Sequence, residues 1–266
     1  MELTVIFTVT LVITMLGFLK TRWFYSAGFG LSVAGTALAL FILPDLNFNI
    51  FTGILCGLLV FYGLRLGGYL LLREVIFKTY RERFKDEEEK KVPVFVKAVM
   101  WALCSGLYVC MTCPVLFRIQ SGKGFDGFVL AGLILAAAGI FIEFIADSQK
   151  AEAKRRAPKT FVYTGLYRMV RCPNYFGELL LWTGIFVSGL NVYSGWWQWT
   201  MAIVGWVGIV YIMFSGTRRT ELRWEKTYGE DPMFQAYAVT VPVILPLVPL
   251  YSVKDQKWLV VRGWKD

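Results

Sequence analysis

The sequence predicts an all-α integral membrane protein: a bundle of seven transmembrane helices with its N-terminus outside and its C-terminus in the cytosol. Three observations carry that prediction. Of the 266 residues, 56% are hydrophobic and 17% aromatic, and the mean hydropathy is +0.54, well above the composition of soluble domains. The apolar residues stand in uninterrupted runs, each near the ~20 residues a helix needs to cross a bilayer. The basic residues outnumber the acidic ones 28 to 19, for a net charge of +9, and they gather in alternate loops, as cytosolic loops do.

The first span covers 3–19. It lacks a basic leader and a small-residue cleavage site, so it reads as a retained helix and not a signal peptide. Lys20-Thr21-Arg22 separates it from a second span at 24–43, and Pro44 and Asp45 mark the loop that follows. The third span, 49–72, ends in YGLRLGGYLLLRE and gives way to a charged stretch at 73–91. The KDEEEKK run within that stretch is nearly neutral and reads as a solvated helix end. Further spans are expected at 92–117, 125–146, 176–190 and 195–214. Residues 240–251, TVPVILPLVPLY, are apolar but too short and too rich in proline to span, which predicts an interfacial or re-entrant segment. Loops 20–23, 73–91 and 147–175, with the segment after the last span, hold nearly all the Lys and Arg, which fixes the expected orientation. No internal repeat is present, which disfavours an inverted-repeat transporter. Residues 1–266 therefore read as one membrane domain.

Composition also limits the chemistry. The chain has no His, so a general base or nucleophile must come from Tyr, Glu, Asp, Lys or Cys, or the work falls to a cofactor. The pair Cys110 and Cys113 forms a CxxC inside an apolar run with no second pair, which reads as small buried residues and not as a metal or redox site. The basic residues are scattered over several loops, which makes a nucleic-acid partner a weak alternative and suits anionic membrane lipid. There is no GxGxxG after a strand and no Walker A motif, so a nucleotide would be held by neither a Rossmann nor a P-loop fold.

Ionisable groups within or beside spans are expensive and mark candidate sites. The rest of the chain is organised around 143–178, EFIADSQKAEAKRRAPKTFVYTGLYRMVRCPNYFGE. Glu143 and Asp147 are like charges at i, i+4, a pair that needs a cationic or hydrogen-bonding ligand. Lys150 and Lys154 continue that face, and Arg155 and Arg156 follow. Pro173 disfavours helix at Cys172, so the chain turns there and a new helix begins. Asn174, Tyr175 and Glu178 then lie at a helix start beside Arg168 and Arg171, an arrangement suited to an anion. A second basic cluster, Arg218, Arg219 and Glu221 in SGTRRTE, belongs to the same compartment. In the third span Tyr62, Arg65 and Tyr69 fall at i, i+3 and i+7 on one helical face, which Arg73 extends.

These motifs resemble a known group. RCPNYFGE is similar to the signature Arg-His-Pro-Asn-Tyr-x-Gly-Glu, with Cys172 where His is usual. EFIADSQK before it and SGTRRTELRWEKTYGEDPMFQAY…VPVILP after it are similar too. The resemblance covers roughly 55–250 and is to the DUF1295 branch of the membrane steroid 5α-reductase superfamily. It implies a seven-span enzyme that uses NADPH to reduce the C=C bond of a lipophilic enone, such as a 3-oxo-4-ene steroid drawn from the bilayer. By position it implies cofactor binding by Glu143, Asp147, Lys154, Arg171, Asn174, Tyr175 and Glu178, and more loosely by Arg218, Arg219 and Glu221. Tyr62, beside Arg65, aligns with the tyrosine that donates to the substrate ketone, where negative charge builds during hydride transfer. The chain departs from the eukaryotic steroid reductases in lacking an early glutamate in its second span, which has only Tyr25 and Ser26 nearby. A bacterial inner membrane is the expected location, with the endoplasmic reticulum as the alternative.

The alternative activity is an S-adenosylmethionine-dependent membrane methyltransferase resembling the isoprenylcysteine carboxyl methyltransferases. Those share a Pro-x-Tyr-type turn and a final Tyr-Gly…Tyr…Val-Pro…Ile-Pro pattern. The Glu143/Asp147 pair and the Asn174…Glu178 spacing favour the reductase. A non-enzymatic lipid-binding or transport protein would leave the central polar loop unexplained.

Overall fold

A computed structural model describes residues 1–43, 47–76 and 92–260, without the side chains of 73–76. Pro44, Asp45, the KDEEEKK run and the side chain of Arg73 lie outside the described residues. These residues form helices and turns with no strand. The helices are α1 (Glu2–Thr14), α2 (Leu16–Leu19), α3 (Ala27–Ile42), α4 (Ile50–Ile76), α5 (Val94–Ser121), α6 (Gly127–Arg156), α7 (Pro173–Ser188), α8 (Trp196–Tyr228) and α9 (Pro232–Thr240). Short 3-10 turns lie at Thr21–Phe24 and Gly165–Arg168.

Among the described residues, six stretches are long and apolar enough to cross a membrane: Glu2–Leu19, Thr21–Ile42, Ile50–Leu72, Val94–Ser121, Gly127–Arg156 and Trp196–Tyr228. The remaining expected span, 176–190, is helical as α7, but α7 has 16 residues. At 1.5 Å per residue it is about 24 Å long, short of the ~30 Å hydrocarbon core. Four helices outrun their predicted spans: α4 continues to Ile76, α5 to Ser121, α6 to Arg156 and α8 to Tyr228. Hydropathy marks where apolar side chains stop, whereas backbone hydrogen bonding carries a helix on into polar sequence. The proline-rich 240–251 segment is irregular after Thr240, and its Val243 and Ile244 are fully buried.

The chain divides into two compact units. The first comprises Met1–Leu133 and Ile185–Trp206. Within it α3 and α4 cross backbone to backbone, because a Cβ on Gly30 would lie 2.5 Å from Gly67 N and 2.8 Å from Gly63 O. Only glycine permits that approach. Helix α5 is fastened to its neighbours by polar contacts. Trp101 Nε1 donates to Leu11 O at 2.8 Å, Tyr108 Oη donates to Phe24 O at 2.7 Å, and the Thr14 and Ser105 hydroxyls meet at 2.7 Å. Pro114 inside α5 has no N–H to give Cys110 O. The Cys113 thiol donates to that carbonyl at 3.2 Å, and Gly205 of α8 packs against it. The CxxC pair is thus two free thiols in a helix packing contact.

Arg118, at the end of α5, is fully buried. It donates to Ser188 O at 2.8 Å, Asn191 Oδ1 at 3.2 Å and Gly124 O at 2.6 Å, and it pairs with Asp126. Asp126 also accepts from Val129 N at 2.9 Å, holding the first turn of α6. Burial would raise the Asp126 carboxyl. Hydrogen bonds from Arg118, Asn191 and the Val129 N–H outweigh that and hold it at about 2. A folded-state value below the ordinary ~3.9 stabilises the protein above that pH and loses the contribution as pH falls toward 2. The expected result is a thermal-unfolding midpoint in detergent that falls between about pH 4 and pH 2, with a flatter profile for Asp126→Asn.

The second unit comprises Ile134–Gly184 and Val207–Asp266. Here α6 and α7 cross at two glycines. A Cβ on Gly139 would lie 2.5 Å from Gly177 O, and one on Gly177 would lie 2.6 Å from Gly139 O and 2.9 Å from Glu143 N. Adding one methyl at this crossing forces the helices apart. Gly177→Ala is therefore expected to cost at least ~1–3 kcal/mol, read as a lower unfolding midpoint; an unchanged midpoint would mean that the crossing does not set the helix separation. A core of Leu179, Val243, Ile244, Val253 and Leu259, with Tyr175, Val210 and Phe214 around it, joins α7 and α8 to the C-terminal segment.

Candidate functional site

All the residues expected to hold a cofactor belong to the second unit, and the α6–α7 crossing organises the first of them. Pro173 opens α7, and the Phe176 N–H donates to Cys172 O at 3.1 Å, so the chain turns at Cys172 as Pro173 requires. Glu143 on α6 is 4% exposed and Glu178 on α7 is 7% exposed. A Cβ on Gly177, the residue before Glu178, would lie 3.1 Å from Glu143 Cβ. The crossing therefore sets Glu143 against the turn of α7 that carries Glu178, 35 positions on (178 − 143) in the sequence. Glu178 also accepts from Trp182 Nε1 at 3.0 Å. Asp147, one turn beyond Glu143, is half-buried, and its charge reaches the Tyr167 phenol.

The loop from 157 to 172 is shaped by a small set of local contacts. Gly165 adopts φ +63, a conformation that favours glycine, and Gln149 of α6 packs where a side chain would stand. Gln149 Oε1 accepts from the Leu166 N–H at 2.9 Å, which fixes the 3-10 turn. The turn buries Tyr167, whose hydroxyl donates to Ala146 O at 3.2 Å and whose carbonyl accepts from Tyr237 Oη at 2.6 Å. Burial, then the Asp147 carboxylate, pushes the Tyr167 phenol well above its ordinary value. Burial likewise pushes the Cys172 thiol up to about 12, so it is protonated at neutral pH and is no nucleophile. The Cys172 N–H donates to Val243 O at 2.9 Å, so the backbone at this position is tied whatever side chain it carries.

Arg171, Arg218 and Glu221 are brought together, and their partners are the chain itself. Arg171 is 2% exposed, pairs with Glu221 Oε1 at 3.0 Å, and donates to Val241 O at 3.1 Å and to Tyr251 O. Glu221 Oε2 accepts from the Val253 N–H at 2.6 Å. Arg218 donates to Lys254 O at 2.8 Å and Leu259 O at 2.9 Å. This buried set brackets residues 241–259 against α8. Lys154 is similarly engaged: its ammonium donates to Pro158 O, Thr160 O and Tyr228 Oη at 3.2, 2.7 and 2.9 Å. Asn174 and Tyr175 are half-buried, with the Tyr175 ring packed on Gly216 and its hydroxyl 3.5 Å from Thr220 Oγ1. Arg219, Arg168 and Lys150 are exposed.

Beside these lies a small aromatic pocket of about 30 Å³, walled by Phe161, Tyr167, Trp224, Tyr228, Phe234 and Tyr237 with Lys150 and Lys154 at its edge. Its volume suits about one water molecule. Sequence reading missed Phe161, Tyr167, Gln149 and Tyr237. The one local signal was Gly165 ahead of Tyr167, a turn residue that implies the next side chain is turned inward.

Tyr62 and Arg65 belong to the first unit. Tyr62 is fully buried, edge-on to Phe29 with ring centroids 6.3 Å apart, and Phe29 lies 5.0 Å from the Tyr108 ring. Arg65 is half-buried and Tyr69 is exposed, so the shared face of α4 runs from the core outward.

The described residues define a helical protein with membrane-crossing segments and a polar cluster of acidic, basic and aromatic side chains built on α6, α7 and α8. The chain belongs to the family described as protein of unknown function DUF1295, whose profile matches residues 7–241. It is similar to a cotton (Gossypium hirsutum) protein named steroid 5-alpha-reductase DET2, with 27% identity over 110 residues, covering 38% of this chain and 37% of that one. It is also similar to an uncharacterised protein of Schizosaccharomyces pombe, with 31% identity over 175 residues, covering 58% of this chain and 48% of the relative. The matched stretch spans less than half the length of each of these curated relatives. No solved structure matches the chain at a significant level.

Proposed function

We propose that the protein is an integral membrane oxidoreductase that uses NADPH to reduce the C=C bond of a lipophilic enone, a 3-oxo-4-ene steroid or related lipid taken from the bilayer. The observation that carries this reading is the α6–α7 crossing, which sets buried Glu143 beside the turn of α7 that bears buried Glu178. Carboxylates held there suit the amide and hydroxyl groups of a nicotinamide riboside, which they would grip by charge-assisted hydrogen bonds. The similarity to the cotton steroid 5-alpha-reductase supports the same class.

The residues present fit such a cofactor in a divided way. Glu143, Asp147, Asn174, Tyr175 and Glu178 supply polar groups from α6 and α7, and exposed Lys150, Arg168 and Arg219 supply cations for phosphate. Arg171, Arg218, Glu221 and Lys154 act one step back, holding the backbone that surrounds the site. When bound, NADPH supplies the hydride. As the β-carbon gains it, negative charge collects on the carbonyl oxygen, where the Tyr62 hydroxyl donates a hydrogen bond from a dry setting. The α-carbon then takes a proton from water. In our reading the N-terminus lies outside, and the basic loops and C-terminus face the cytosol of a bacterial inner membrane, or of the endoplasmic reticulum.

The test is NADPH oxidation by detergent-purified protein with a 3-oxo-4-ene steroid, followed by mass analysis of the product. A gain of two hydrogens is expected. NADPH binding without oxidation would reject the steroid and keep the cofactor. Failure to bind NADPH would overturn the reading and bring forward the methyltransferase, which a bound sulfonium nucleoside would identify.

A further inference from the structure

The sequence places the interfacial segment at 240–251, but the structure turns much of that stretch inward. Val243 and Ile244 are fully buried, and Leu245 and Leu250 pack against the same core. A pair of apolar side chains better placed to meet lipid comes later. Trp258 is 64% exposed and Val260 69%, while Leu259 between them is fully buried in the core of the second unit. Leu259 thus pins the stretch from inside and leaves Trp258 and Val260 outside.

Tyr211 sets where this stretch stands against the bilayer. It lies on α8 near Val207 at i−4 and Ile212 at i+1, and all three side chains are exposed. Helix α8 carries no charged residue from Trp196 to Thr217, so an exposed apolar side of that run faces lipid. By helical rise Tyr211 stands about 10.5 Å short of Arg218, the first charge. The Tyr211 hydroxyl donates to Trp258 O at 3.1 Å and accepts from the Val260 N–H at 3.2 Å, with the two rings 6.2 Å apart. Irregular main chain is therefore fastened to a lipid-facing tyrosine at the depth of the apolar run. Its polar groups are met there: Arg218 donates to Leu259 O at 2.9 Å, and the Leu259 N–H donates to Gln256 O at 3.0 Å. Backbone satisfied in this way is tolerated at a membrane boundary where bare backbone is not. The Trp258 indole N–H donates to Gln256 Oε1 at 3.0 Å, and exposed Lys257 precedes it. Tryptophan beside lysine suits the boundary between acyl chains and phosphate headgroups.

We infer that Lys257, Trp258 and Val260 form an interfacial anchor that docks on phospholipid, in the leaflet on the side of the basic loops. The indole and the valine methyls sit at the acyl–glycerol boundary, and the ammonium sits at the phosphates. The anchor goes beyond the reductase reading and does not depend on it. It bears directly on the second unit, because Leu259 is both the inner side of the anchor and an acceptor for Arg218. Lipid outside the stretch therefore braces the segment that Arg171, Arg218 and Glu221 hold from within.

The experiment puts an environment-sensitive NBD label on Trp258→Cys in nanodiscs of phosphatidylcholine and phosphatidylglycerol, with background from the native cysteines measured on the unsubstituted protein. Glu230→Cys, exposed just past the end of α8, is the aqueous control. Nitroxide lipids are expected to quench the label at 258 at least about twofold more when the nitroxide sits near the glycerol than at the acyl-chain end, as befits a depth of about 5–10 Å. Iodide in the water is expected to quench the control and leave the label at 258 nearly untouched. Equal iodide quenching at both positions would overturn the inference, because the face would then stand in water. Strongest quenching by the chain-end nitroxide would overturn it too, because the stretch would then run deep into the bilayer. Protection from iodide and from both nitroxides would put a second copy of the chain on this face and reject the lipid partner. Should Trp258→Cys fail to fold, Val260→Cys carries the label under the same criteria.

Discussion

Glu221→Ala is expected to loosen the C-terminal segment and cost the protein ~3–5 kcal/mol, the usual penalty for removing one partner of a buried ion pair. Arg171 is 2% exposed and Glu221 5%, so water cannot replace the lost carboxylate. The same change strips the Val253 N–H of its acceptor, adding an unsatisfied donor to an unpaired charge. A lower unfolding midpoint in detergent, with faster proteolysis within 241–260, is the outcome to look for. Glu221→Gln keeps an acceptor for Val253 and should be milder. If Glu221→Ala leaves both readouts unchanged, the bracket does not hold the segment.

Tyr62→Phe is expected to leave the fold intact and lower kcat by ~10²–10³-fold, equal to ~2.7–4 kcal/mol of lost transition-state stabilisation. The ring, fully buried against Phe29, is kept, and only the hydroxyl is removed. A substrate KM near wild type beside the reduced kcat would place the hydroxyl at the developing charge. Near-wild-type turnover would remove Tyr62 from the chemistry. Glu178→Gln belongs to the same series and should abolish reduction, through weaker NADPH binding.

Two kinds of information in the sequence were legible to different degrees. The apolar runs gave the membrane-crossing helices within a few residues at their starts, because burial in lipid demands continuous hydrophobicity and leaves little choice of residue. Helix ends in water were invisible to the same signal, as α6 and α8 demonstrate. The end of α7 was placed two residues late because Leu190 and its neighbours extend the apolar run past the point where the helix stops at Ser188. The site was legible as composition: Glu143 had no ordinary reason to be where it is, and Pro173 announced the turn. What the residues touch was not legible. Arg171 and Arg218 read as cofactor-binding residues because a guanidinium serves an anion and a row of backbone carbonyls equally well. Their partners lie tens of residues downstream, beyond the reach of any local pattern. Arg118 was hidden for the opposite reason: one arginine in a short loop resembles a solvated one until its acceptors are seen.

The bracket formed by Arg171, Arg218 and Glu221 also bears on biosynthesis. Translation proceeds from the N-terminus, so these three charges emerge before the carbonyls and N–H of residues 241–259 that satisfy them. Until that stretch leaves the ribosome, the Arg171–Glu221 pair and Arg218 of the nascent second unit lack the backbone partners that complete their hydrogen bonding, and the unit cannot close around them. Maturation of the site therefore waits on the arrival of a segment that contributes no side chain to the proposed chemistry, and a chain cut after Thr240 would be a substrate for quality control before it could be an enzyme.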